Sequence, residues 1–185
     1  MAQSLDEAWE RCKNRNPDIS IAGCTAVVAH RDEIDQRRGI AFTNIGSAWG
    51  AKGDLDRAVM SFDQAIRLNP SFGGAYRGRA MAYEVRKEFD RAIADLGQAI
   101  RLDAADAMAI GSRARVKLKA GRIDEAIADY DAALKIQPRD AHSLYGRGLA
   151  RQRKGDQAGA NADIAAATAQ RPDIAEEMMQ YFGLR

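Results

Sequence analysis

The apolar positions of this chain recur every 34 residues, and segments 39–72, 73–106, 107–140 and 141–174 align without a gap. Ala58, Ala92, Ala126 and Ala160 share one position, and Ala65, Ala99, Ala133 and Ala167 share another seven residues later. Seven residues is about two helical turns, so each alanine pair lies on one face of one helix. Between the alanines stands a large apolar residue, Phe62, Leu96, Tyr130 or Ile164. Upstream, Phe42, Tyr76, Ile110 and Leu144 are each followed four residues later by a small residue, Gly46, Ala80, Ala114 or Gly148. This register predicts two helices per segment, packing small residues against bulky ones in their own hairpin and in the next.

The punctuation agrees with that register. Gly53, Gly121 and Gly155 fall where a first helix would end in a left-handed cap. Asp54-Leu55-Asp56, Glu88-Phe89-Asp90 and Ile123-Asp124-Glu125 place acids in the first turn of a second helix, favourable against its dipole. Asn69-Pro70, Gln137-Pro138 and Arg171-Pro172 close the second helix, because a residue before proline avoids the α region. Helices of about three to four turns are marginal alone in water and persist here only by stacking.

On these residues the chain resembles the tetratricopeptide repeat family. The first segment meets the family signature with Phe42, Ile45-Gly46, Trp49, Gly53, Leu55, Ala58, Phe62, Ala65 and Pro70. Ala104 replaces the closing proline and Lys87 the turn glycine of the second segment. Lys117 and Arg151 stand where the family has an aromatic, and Gln157 and Ala158 weaken the last turn. The resemblance covers 39–174. It implies an all-α fold, a right-handed superhelical stack of antiparallel helix hairpins. The expected organisation is a degenerate N-terminal hairpin and link over 1–38, four repeats, and a capping helix over 175–185. Glu176 and Glu177 would face outward from that helix and Phe182-Gly183 would end it, its role being to cover the last apolar face.

Residues 4–30 form the degenerate hairpin, in which Ser20–Val28 echoes Ala58–Ile66 with Cys24 in the place of Phe62. Cys12 lies across the turn at Asn16-Pro17. The residues leave two readings open: a bridge, worth roughly 3 kcal/mol for so short a loop, or two buried thiols acting as small hydrophobes. The layout also resembles small exported bacterial proteins of the family that carry this cysteine pair before their first full repeat. That resemblance implies a Cys12–Cys24 disulfide and a periplasmic or exported protein, with the cytoplasm as the alternative. Met1–Glu7 lacks the basic and apolar regions of a signal peptide, an absence that also fits a mature chain whose leader has been removed. The charged stretch 31–38 reads as a solvated link into the first repeat.

Composition narrows the function. Charged residues are 29% of the chain and net charge is +2, with a pI of 8.6, short of the value above about 9 that would point to nucleic acid. No apolar run approaches the ~20 residues of a membrane span. Only two histidines occur, His30 and His142, on different hairpins, and no nucleophile elbow, zincin or P-loop pattern is present. Cys12, Cys24 and His30 lack a fourth metal ligand. No catalytic residue, metal or cofactor is assigned.

The family's ligand groove is lined by the first helices of the repeats. Carried over residue by residue, the resemblance implies a groove of Thr43, Ser47, Arg77, Met81, Glu84, Met108, Arg115, Lys119, Tyr145, Leu149 and Arg153. The cations among them suggest an acidic ligand. The first helices of repeats two to four hold eleven Lys or Arg against one acid, Glu84. Either this basic face binds a ligand, or it is solvated and balanced by the acidic second helices. Arg79, Arg113 and Arg147, at the repeat's leucine position, are expected to pack their stems between helices and snorkel. Chaperone-binding members grip a terminal carboxylate with Lys and Asn; here Thr43, Ser47, Gly78, Met108 and Ser112 hold those places, so that clamp is missing. The expected partner is another protein or peptide. Nucleic acid is disfavoured by the few aromatics placed to stack on bases, and self-assembly through terminal repeats is a third reading.

Overall fold

The structure is a computed structural model that describes residues 4–30 and 33–182. Met1–Gln3, Arg31-Asp32 of the expected link and Gly183 of the expected helix end lie outside the described residues. The described residues form eleven helices and no strand: α1 Leu5–Cys12, α2 Pro17–Ala29, α3 Asp35–Ala51, α4 Leu55–Leu68, α5 Gly73–Val85, α6 Phe89–Leu102, α7 Ala107–Lys119, α8 Ile123–Ile136, α9 Ala141–Lys154, α10 Gln157–Gln170 and α11 Ile174–Phe182. None of these helices is long and apolar enough to cross a membrane. They gather into two compact units, one ending at Leu102 and the other beginning at Asp103.

Helix ends fall where local chemistry places them. Asp54, Asp106, Asp140 and Asp156 each accept a backbone N–H three residues on, satisfying a donor that the helix cannot use. Ser4 and Glu7 close a reciprocal capping box on α1. Gly53, Gly121 and Gly155 turn the chain at φ of 79°, 78° and 91°. The second repeat makes the same turn on Lys87 at φ 61°, which a side chain tolerates at a cost of about 1 kcal/mol.

Within each unit, neighbouring helices pack antiparallel and bury the alanine face. Ala58, Ala65, Ala92, Ala126, Ala160 and Ala167 are fully buried, and Phe62, Leu96 and Tyr130 are buried between them. The small positions exist for the large ones. A Cβ at Gly46 would come within 2.9 Å of the Phe62 ring, and one at Gly148 within 2.8 Å of Ile164.

In the first unit α1 and α2 form the expected N-terminal hairpin, and Cys12 and Cys24 are joined as a disulfide. The helices meet closely because Gly23 lies on the backbone of α1, where a Cβ would fall 2.5 Å from the Cys12 nitrogen. The Ser20 hydroxyl donates to the Cys12 carbonyl at 2.8 Å. The expectation of a solvated link needs correcting. Glu33 is buried, accepting the Trp9 indole N–H at 2.7 Å and facing Arg37 at 3.4 Å. An indole N–H taken out of water needs an acceptor, and Glu33 supplies it. Asp35–Arg38 of the link are already the first turn of α3.

A candidate ligand-binding surface

Most of the cations that make the first helices basic are paired with carboxylates of the fold itself. The Arg79 guanidinium donates twice to Asp95, at 2.8 and 2.7 Å, and once to Asp63 at 2.5 Å. Arg147 repeats this with Asp163, at 2.8 and 2.6 Å, and with Asp131 at 2.8 Å. Arg113 holds Asp129 with two bonds of 2.8 Å. Asp95, Asp129 and Asp163 are buried, so each pair is a charge-assisted fork that replaces the water both groups lost. Hydrogen bonds to Asp95 and to Asp163, first among the causes, hold Arg79 and Arg147 still more firmly protonated than arginine ordinarily is. The expected snorkelling is therefore corrected: the stems pack, but the heads end on carboxylates between helices.

Other first-helix cations follow. Lys117 is buried, 2.9 Å from Asp129. Arg151 reaches Asp163 at 2.9 Å, Arg86 meets Asp56 at 2.8 Å and Lys154 meets Asp124 at 2.7 Å. The spacing was present in the sequence. Each arginine precedes its aspartate by sixteen residues, and where the first repeat has Ile45 it also has Ser61 in place of the acid. The two positions change together.

In the first unit, α3 and α5 carry the predicted lining residues. Thr43 is half-buried and Ser47 exposed, their hydroxyls bonded back to the carbonyls of Gly39 and Thr43. Arg77 is half-buried, and Met81 is 62% exposed, followed one turn later by Val85 at 67%. Ser47 and Ala51 hold the same repeat positions on α3 as Met81 and Val85 on α5, and all four are exposed. Glu84, by contrast, is buried. Ser47 and Ala51 also line an open cavity of about 400 Å³, together with Lys13, Arg15, Asn44 and the bridged Cys12. A second cleft, between Trp9, Asp6, Glu10, Arg37 and Ile40, measures about 420 Å³. Sequence reading assigned none of α1 to the surface, because that hairpin falls outside the 34-residue register.

In the second unit the corresponding side is partly covered by α11. Met108 stays 68% exposed, but Tyr145 is buried in a cluster with Leu144, Ile174 and Met178. Phe182 and Leu149 both pack against this cluster and against the one around Leu118 and Tyr130. The Arg115 guanidinium stands 4.9 Å from the centre of the Tyr181 ring, and the Lys119 amine 5.8 Å from that of Phe182, both within cation–π range. Arg153 donates to the Leu118 carbonyl at 3.0 Å. Glu177, expected to face outward, does not. It is half-buried, 3.0 Å from His142 on α9, and it accepts from Arg171 at 2.6 Å. The amphipathic turn that buries Ile174 and Met178 carries Glu177 toward α9. Among the described residues no three His, Cys, Asp or Glu side chains gather as a metal site would require.

Two family models match the chain, one described as tetratricopeptide repeat over residues 43–107 and one as TPR repeat over 114–155. No curated protein matches it. Among solved structures, MamA from Desulfovibrio magneticus RS-1 superposes with a TM-score of 0.78 at 16% identity, covering 94% of this chain and 98% of that one. YrrB, described as a TPR protein with an unusual peptide-binding site, gives 0.72 at 18% identity over 91% of this chain and 85% of its own. The first TPR of Spaghetti (RPAP3), bound to the HSP90 peptide SRMEEVD, gives 0.64 at 20% identity over 66% and 97%. At these identities the likeness is one of fold.

Proposed function

Because the chain belongs to the tetratricopeptide repeat family, we propose that it is an interaction scaffold. It binds an extended or helical segment of another protein along α1, α3 and α5 of the first unit. One observation carries this reading: Ser47 and Ala51 on α3, with Met81 and Val85 on α5, form an exposed run of small and apolar side chains. Large apolar side chains left open beside one another suit a partner, not water. The run ends at the cavity holding Lys13 and Arg15, so the segment it fits carries apolar residues with an acidic group at one end. YrrB and Spaghetti (RPAP3) are peptide binders by their descriptions, which supports the same use of the fold. The disulfide favours an oxidising compartment for this chain.

The test is quantitative capture of the native partner by Met81→Asp with Val85→Asp and by Lys13→Glu with Arg15→Glu. At least a tenfold loss of affinity is expected from the first pair, and a smaller, salt-dependent loss from the second. Undiminished capture by the first pair would sink the assignment.

A further inference from the structure

In the second unit, α11 acts on the first-helix side as a ligand would. It lies beside α9 as α9 lies beside α7, and its residues fall into a seat with three distinct parts. Ile174 and Met178, one turn apart, are fully buried against Leu144 and Tyr145. Phe182, two turns beyond Ile174, packs as Leu149 does against the cluster of Leu118 and Tyr130. Tyr181 and Phe182 present their rings to Arg115 and Lys119. At the other end, Glu177 is pinned by His142 and Arg171. The spacing i, i+4, i+8 with an acid beside the middle anchor is that of an amphipathic helix laid on a complementary face.

The two ends of this seat differ. Ile174 and Met178 are core, whereas Tyr181 is 45% exposed and Met179 47%. The last turn is held by ring contacts to two cations and by one apolar anchor, and a turn with so few buried contacts opens locally at little cost. Opening it would bare Leu149, Arg115 and Lys119, three of the residues that sequence reading assigned to ligand binding.

We infer that the α7–α9 surface of the second unit is a receptor for an amphipathic helix ending in two adjacent aromatic residues, and that α11 is its resident occupant. The outside partner is then a helix with an aliphatic anchor, a second anchor one turn on, and a Tyr-Phe-like pair one turn further, with an acid facing His142 and Arg171. It gains access by displacing α11. The inference rests on the reading that the first-helix side is the ligand side, but its site lies in the other unit.

The probe is a fluorescein-labelled peptide of residues 173–182, followed by anisotropy with the full chain. Tyr181→Ala with Phe182→Ala frees the seat while leaving Ile174 and Met178 in place. This variant is expected to bind the peptide at least tenfold more tightly than the unaltered chain. Adding Arg115→Glu and Lys119→Glu to it should remove most of the gain. Equal affinity for both chains, or no binding to the freed variant, overturns the inference. Should the double variant lose helicity, amide exchange on the unaltered chain decides. Residues 178–182 should exchange at least a hundredfold faster than the centre of α9, and equal protection means that α11 is a fixed part of the core. Failure here with loss of partner capture by Met81→Asp would leave the first-unit assignment standing, whereas the reverse pattern would separate the two in the other direction.

Discussion

Met81 in the first unit and Leu149 in the second hold the same position of the repeat, yet Met81 is 62% exposed while Leu149 is half-buried and packs against the cluster of Tyr145, Ile174 and Met178. The same pairing of open and covered holds for Arg77, half-buried, and Tyr145, buried. The two ends are also secured by different means. A covalent bridge between Cys12 and Cys24 ties the first hairpin, whereas a nine-residue helix with ring, ion-pair and apolar contacts closes the second unit. Repeats of one design thus yield an available surface in one unit and an occupied one in the other. Repeat position alone does not make a residue a ligand contact; its cover does.

The largest effect is expected from the buried ion pairs, where the repeats differ most. Arg79→Ala leaves the buried Asp95 without its fork and should cost about 3–5 kcal/mol in urea unfolding. Restoring an apolar match with Arg79→Met and Asp95→Leu should recover most of that loss. In the first repeat, where Ile45 and Ser61 stand at these positions, Ser61→Ala should cost only about 1 kcal/mol. Equal costs at the two places would break the contrast.

Next comes the bridge. Cys12→Ser with Cys24→Ser should cost roughly 3 kcal/mol through the freed unfolded chain. Amide exchange should rise in α1 and α2 while α9 and α10 keep their protection. The open-against-covered comparison is sharpened by one pair of substitutions. Leu149→Asp should destabilise by about 2 kcal/mol, because it sets a carboxylate against the two apolar clusters that Leu149 packs on, whereas Met81→Asp should stay within about 0.5 kcal/mol. Thermal unfolding of both variants checks it.

The smallest effect concerns pH. The hydrogen bond with His142, reinforced by the charges of His142 and Arg171, holds the Glu177 carboxyl below its ordinary value of 4.5. A group whose pKa is lowered by folding contributes stability above that ordinary value and loses it as pH falls through the lowered one. Exchange of α11 amides should therefore quicken below about pH 4.5 while α1 and α2 stay unchanged. Glu177 keeps about a third of its side chain in contact with water, so screening limits the effect to about 0.5 kcal/mol.

The repeat, its helix pairs and their ends were legible in the sequence, because each depends on residues a few places apart: an alanine seven after an alanine, an aspartate at a cap, a glycine or proline at a stop. Thr43, Ser47, Arg77 and Met81 could be nominated for the same reason, since helical period alone decides which face they share. Three matters were not legible in this way. The destination of Arg79 and Arg147 depends on carboxylates sixteen residues away in both directions, a separation no helical period marks. The burial of Glu33 depends on an indole twenty-four residues earlier. The burial of Tyr145 depends on where α11 comes to rest.

Sequence by itself determined the elements, their ends and the face each one buries, since propensity, capping and period are properties of neighbours along the chain. Only the tertiary structure decided which charges are neutralised within the fold and which copy of a repeated position is left bare. Both are settled by contacts between separate helices, which residues adjacent along the chain do not record and which differ from one repeat to the next.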